Sequence, residues 1–156
     1  MTAGAAAARP SRAALLLVGA LLLGALAPGG ARAGCDVDLS LVDFGRLDPA
    51  RGGEIAGRVT VECDAPAGFA LALTPGFGSY AERRMRGPGG AELRYNLYTD
   101  PARRVVWGDG MGGTGLVRGD TGGRRRATVP VYGHVPRGQR VPAGAYADQL
   151  TVNFTF

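Results

Sequence analysis

The stretch that most constrains this chain is its last, residues 144–156, reading Gly-Ala-Tyr-Ala-Asp-Gln-Leu-Thr-Val-Asn-Phe-Thr-Phe. From Leu150 the alternation is strict. Leu150, Val152, Phe154 and Phe156 fall on one side, and Gln149, Thr151, Asn153 and Thr155 on the other. A strand has a side-chain period of two, so this is a half-buried β-strand with one apolar face. Its β-branched and aromatic residues suit a pleated surface. No further strand comes after it in the sequence. A core strand needs ladder partners on both edges, so they are expected from upstream or from another chain.

Upstream, short apolar runs are punctuated by Gly and Pro. Val37, Leu39 and Leu41 alternate with Asp38, Ser40 and Val42 over 37–44. Turn chemistry at 48–53 separates this run from a second strand over 54–63, with Ile55, Val59 and Val61 as core. Strands are also expected over 69–74 (Phe69, Leu71, Leu73), 81–86, 92–99 (Leu93, Tyr95, Leu97), 104–107 and 124–135 (Val129, Val131 and His134 or Val135). The glycine-rich residues 108–123 read as a loop. No segment after residue 33 carries a sustained helical period, so the fold class is all-β, a sandwich in one domain.

Residues 1–33 have the pattern of a secretory signal peptide. Arg9 and Arg12 precede an apolar run over 13–27, Pro28-Gly29-Gly30 breaks it, and Ala31-Arg32-Ala33 is an A-x-A cleavage site. The apolar run is short for a membrane span. A lipoprotein anchor at Cys35 is disfavoured by Arg32 at the third position before it. The expected mature domain is 34–156, with 15 basic and 13 acidic residues. A net charge of +2 gives no case for nucleic acid, which calls for a concentrated basic face. Two cysteines, Cys35 and Cys63, remain in the exported part, and an even count there predicts a disulfide joining the first two strands.

Several motifs dissolve on inspection. Gly108-Asp109-Gly110-Met111-Gly112-Gly113 fits G-x-G-x-x-G, but residues 114–119 have no helical pattern, so it reads as a surface loop. His134 is the only histidine, with no nucleophile elbow for a triad. Asp100, Asp109 and Asp120 lack calcium-loop spacing, and no metal or cofactor is expected. The pairs Arg83-Arg84 and Arg103-Arg104 and the run Arg124–Arg126 read as solvated edge charge that discourages strand pairing, rather than as a face for an anionic polymer. The sequon at Asn153 lies in a strand and reads as chance. With no catalytic constellation, the chain is read as not an enzyme.

Residues 35–156, taken together, resemble the spore coat protein U domain, the subunit domain of archaic chaperone–usher pili. The matching pieces are Cys35 with Val42-Asp43-Phe44-Gly45, and Val59-Thr60-Val61-Glu62-Cys63. Tyr95, Tyr98 and Asp100 come next within Leu93–Asp100, then Trp107-Gly108-Asp109-Gly110. Tyr132, Gly133, Gln139, Gly144, Tyr146 and Asp148 complete the set. His134 stands where arginine is expected.

The resemblance implies an incomplete immunoglobulin-like sandwich lacking its last strand. A periplasmic chaperone, and then another pilin subunit delivered through an usher, would supply that strand by donor-strand complementation. Leu150, Val152, Phe154 and Phe156 would line the groove that receives it. Such a protein is a fimbrial subunit, related to cell adhesion and biofilm formation, that passes through the periplasm to the surface and has no mature membrane span. Polymerising members carry a donor segment before the first cysteine. Here cleavage after Ala33 leaves only Gly34, and residues 28–34 show no apolar alternation, so a terminal or accessory acceptor is expected. The alternative from the residues alone is a stand-alone secreted sandwich binding carbohydrate or a surface polymer.

Overall fold

The structure, a computed structural model, describes residues 34–40 and 43–156. The expected signal peptide, 1–33, lies outside the described residues, as do Leu41 and Val42. Eight strands are present among the described residues: β1 Cys35–Ser40, β2 Gly53–Cys63, β3 Gly68–Leu73, β4 Arg83–Arg86, β5 Glu92–Tyr98, β6 Val117–Asp120, β7 Arg126–Val135 and β8 Val152–Thr155. Two short 3₁₀ turns, Pro88–Gly90 and Gly122–Arg124, are the only helical segments among them. None of these is long and apolar enough to cross a membrane.

The strands form two sheets, all pairs antiparallel. One has the order β1-β2-β7-β5-β4, and the other β6-β3-β8. β2 and β7 make the longest ladder, from Gly53 opposite Val135 to Glu62 opposite Arg126. Alternation decides the faces. Val59, Val61, Val131, Val135, Leu93, Tyr95 and Leu97 bury on the large sheet; Phe69, Leu71, Leu73 and Val117 bury on the small one. These side chains make one core between two layers, the arrangement of a β-sandwich.

Several expectations are adjusted. Residues 104–107 form isolated bridges at Val106 and Trp107 rather than a strand. β6 lies inside the glycine-rich stretch read as a loop. Val117 carries its apolar face, and a side chain on Gly119 would strike the Phe69 ring. His134 stands on the outer face, opposite Glu54 and Asn96, while Val135 is the core residue. β8 begins at Val152, because Thr151 is held by the main chain and side chain of Thr74, just past β3, rather than by a ladder.

Cys35 and Cys63 lie directly opposite in the β1–β2 register and are bonded. The bridge closes a loop with a sequence separation of 28 and pins the first strand to the sheet. Constraining a loop of that size in the unfolded chain contributes about 3–4 kcal/mol. Cys63→Ser is therefore expected to lower the unfolding free energy by about that amount. Urea titration of the exported protein checks it, and an unchanged midpoint would mean that β1 is held by its ladder alone.

Candidate functional site: a groove between two sheet edges

β1 and β8 are edge strands of different sheets. Among the described residues each has one ladder neighbour, β2 for β1 and β3 for β8. Between them a cleft of about 470 Å³ opens into the core. Leu39 of β1 lines one lip, and Leu150 and Val152 line the other. Leu97, Trp107 and Val131 form the floor. A second chamber of about 550 Å³ adjoins it, sharing Asp43, Phe44, Met85 and Tyr146 with the first.

Leu150 and Val152 line this cleft. Phe154 is half-buried on the same strand, its ring 6.3 Å from Phe69 and 5.1 Å from Phe156. Phe156 itself is 61 % exposed, and Leu39 is 39 % exposed. Apolar side chains left open at the ends of two unpaired edges mark a surface suited to a partner. Sequence reasoning did not place Leu39, Phe44, Met85 or the floor residues at one site, because they come from separate segments of the chain. The signals for it are a strand with no evident neighbour and the resemblance to a family with an incomplete sandwich.

The floor and rim are held by a small set of polar contacts. Trp107 is buried, and its Nε1–H donates to the Leu71 carbonyl at 2.9 Å while its main-chain N–H donates to Leu97 at 2.9 Å. One residue thus ties β3 of the small sheet to β5 of the large one. At the rim the Tyr95 hydroxyl donates to Asp148 Oδ2 at 2.6 Å. Asp148 Oδ1 accepts from the N–H groups of Phe77 and Gln149. Burial pushes the Tyr95 phenol well above its ordinary value of 10, and the neighbouring Asp148 carboxylate pushes it further.

The remaining singled-out residues build the frame. Gln139 is buried and treats Arg94 as a strand neighbour would. Its Oε1 accepts from the Arg94 N–H at 2.7 Å and its Nε2 donates to the Arg94 carbonyl at 2.9 Å. Tyr98 and Tyr132 pair across β5 and β7, as do Leu97 and Gly133. Asp100 accepts from the Arg104 and Val105 N–H groups, and the Val105 bond is the main cause of its lowered pKa. Asp109 accepts from the Met111 N–H and the Thr114 hydroxyl, and the Met111 bond likewise holds its carboxyl low. Gly108 packs against Thr114, where a side chain would collide. Gly110 turns the loop with φ of 82°. Tyr146 lies over Gly87 and donates to the Pro142 carbonyl at 2.8 Å; Gly144 abuts Pro88.

The arginine clusters separate on folding. Arg84 pairs with Glu82 and Glu92, Arg103 with Glu54, and Arg126 with Glu62, all at least partly exposed. Such pairs contribute little to stability. Arg83 does not follow the solvated-edge reading. It is wholly buried, and its guanidinium donates to Asn96 Oδ1 at 2.8 Å and to the carbonyls of Thr74 and Trp107, each at 2.9 Å. Desolvation lowers its pKa.

The two-sheet sandwich with an open groove between unlike edges defines a pilin-like fold. It is similar to a chain of a chaperone–tip adhesion subunit pre-assembly complex from the archaic chaperone-usher Csu pili of Acinetobacter baumannii. The TM-score is 0.58 at 18 % identity, covering 80 % of this chain and 40 % of that one. The model of the Spore Coat Protein U domain family matches residues 29–153. Protein U of Myxococcus xanthus is 37 % identical over 130 residues, covering 74 % of this chain and 71 % of that protein. The chain belongs to the Spore Coat Protein U domain family.

The Tyr95–Asp148 contact makes stability depend on alkaline pH. The folded state holds the phenolic proton more tightly than the unfolded chain, so this stabilisation is complete below pH ~10 and is lost as pH rises beyond it. Tyr95→Phe is expected to cost about 1–2 kcal/mol at neutral pH by leaving Asp148 Oδ2 without a donor, and to flatten the alkaline decline. Denaturation midpoints of both proteins across pH 8–11 check this; parallel curves would assign the decline to other groups.

Proposed function

We propose that this chain is an exported structural subunit of a chaperone–usher surface fibre or coat, and that it accepts a strand donated by another protein. The groove carries the reading. Its two lips belong to edge strands of different sheets, and its floor is the core itself. An extended segment with an apolar side chain at every second position would add its backbone to the lips and set those side chains on Leu97, Trp107 and Val131. Each position filled in this way contributes roughly 1.5–3 kcal/mol. Left empty, the groove offers unpaired strand edges beside exposed Leu39 and Phe156, a hazard for aggregation.

In this reading a periplasmic chaperone holds the groove first, an usher receives the complex, and another pilin subunit supplies the lasting strand. The domain that does this is 34–156, released from a signal peptide at 1–33 and destined for the cell surface. Residues 28–34 have no apolar alternation with which to donate in turn, which supports a terminal or accessory place. Adhesion and biofilm formation are the roles such a fibre serves. The family membership and the pilin-like fold support the assignment.

Co-expression with chaperones encoded beside usher genes, followed by affinity capture, tests the proposal. Leu150→Asp and Val152→Asp would bury an unpaired charge on the groove lip and should reduce capture by at least about tenfold. Thr151→Asp and Asn153→Asp, on exposed positions, should stay within about twofold to threefold of wild type. Equal losses for the two pairs, or no complex with any chaperone, would overturn the acceptor role.

A further inference from the structure

We propose that Arg83 is a positioning residue of this groove, fixing both its floor at Trp107 and the start of its β8 lip at Thr151; the inference rests on the acceptor reading above. Among the described residues Arg83 is the one buried charged side chain. No carboxylate there pairs with it, and its Nε has no hydrogen-bond partner. Burying a cation in this way is costly, and a core without either the cation or the acceptors it serves is often as good or better for stability. A stabilising role alone therefore does not account for it.

Its bonds do account for it. One terminal nitrogen, Nη2, donates to the carbonyls of Thr74 and Trp107. The other, Nη1, donates to Asn96 Oδ1 on β5. Thr74 comes directly after β3 and clamps the entry to β8. Its N–H donates to the Thr151 carbonyl at 3.0 Å, and its hydroxyl accepts from the Thr151 N–H at 2.9 Å. Trp107 carries the groove floor and bridges the sheets through Leu71 and Leu97. A single planar guanidinium thus sets the spacing between one groove lip and the floor. Its rigid fork suits that task, whereas a lysine ammonium on a flexible stem does not reproduce it. Arg83 does not itself line the cleft, so it acts through Thr74 and Trp107 rather than by touching a donor.

The test uses the full chain, exported and purified with a co-expressed chaperone, in wild-type, Arg83→Met, Arg83→Lys and Thr121→Ala forms. The probe is a synthetic peptide about a dozen residues long with Val or Ile at every second position. Four quantities are measured: the unfolding midpoint, amide exchange at Thr151, emission of the single tryptophan, and the rate at which bound peptide leaves. Arg83→Met should lower the midpoint, because the Thr74 and Trp107 carbonyls lose their donor, while exchange at Thr151 and peptide release each quicken by about tenfold, with a shift in Trp107 emission. Arg83→Lys should show the same two kinetic changes. Thr121→Ala, which removes a buried hydroxyl bonded to Ala67 away from the cleft, should lower the midpoint yet leave them within about twofold to threefold of wild type.

If the Arg83 variants only lose stability, and change exchange and release no more than Thr121→Ala does, the positioning role is overturned. Should Arg83→Met fail to accumulate, the two kinetic readouts of Arg83→Lys decide in its place. If the wild type binds neither chaperone nor peptide, the acceptor reading fails. Thr151 exchange and Trp107 emission then still decide whether Arg83 holds the two segments.

Discussion

A strand edge inside a folded protein presents N–H and C=O groups that must find partners, and the build of this molecule reflects how each edge meets that demand. The outer edge of β4 is closed from within: Arg86 exchanges both main-chain bonds with Ala147, at 2.8 and 3.0 Å. Arg94, on β5 level with the end of β7, is served by the Gln139 amide in place of a strand. β1 and β8 are treated differently. Each is paired on one side among the described residues, and the space between them is lined mostly by apolar side chains, beside Asp43, Arg58 and Asp148. Closing some edges with dedicated side chains while leaving a matched pair open concentrates the demand for a partner in one place.

The core surrounding that opening is apolar, but its geometry is fixed by a few polar groups. Trp107 joins the sheets through its indole N–H, Tyr95 ties β5 to the segment leading into β8 through Asp148, and Arg83 gathers two carbonyls and one amide. Apolar packing supplies most of the stability but has little directional preference. Hydrogen bonds in a low-dielectric interior penalise misplacement, because a displaced partner leaves a buried polar group unsatisfied. A groove that must hold its shape with part of its core uncovered has particular use for such contacts.

Much of the sheet structure was legible in the sequence. Alternating apolar runs located six of the eight strands to within about two residues at each end, because one-sided burial writes a period of two into any strand. The two cysteines predicted their own bridge, which lies where β1 and β2 face each other. β6 was hidden, since its run is short and Gly119 replaces a side chain that the Phe69 ring excludes. The apolar alternation begins at Leu150, two residues before β8 itself. The pattern shows which face is apolar, not whether Thr151 is held by a ladder or by Thr74.

The site was legible only as an implication, from an apolar strand without a neighbour and from the family resemblance. That β1 and β8 flank one cleft, that Trp107 floors it and that Arg83 stands behind it depend on contacts between residues far apart in the chain. Arg83 and Arg84 are the clearest case. Local sequence treats them alike, and both read as solvated edge charge. On the β4–β5 ladder Arg84 falls opposite Arg94, beside Glu82 and Glu92, and remains in water. Arg83 falls opposite Tyr95, where three acceptors from three segments converge on its guanidinium. The sequence determined by itself that the chain forms alternating strands with a disulfide staple. Tertiary structure decided which of two adjacent identical side chains the core would enclose, because burial is set by register and by the partners that distant segments bring.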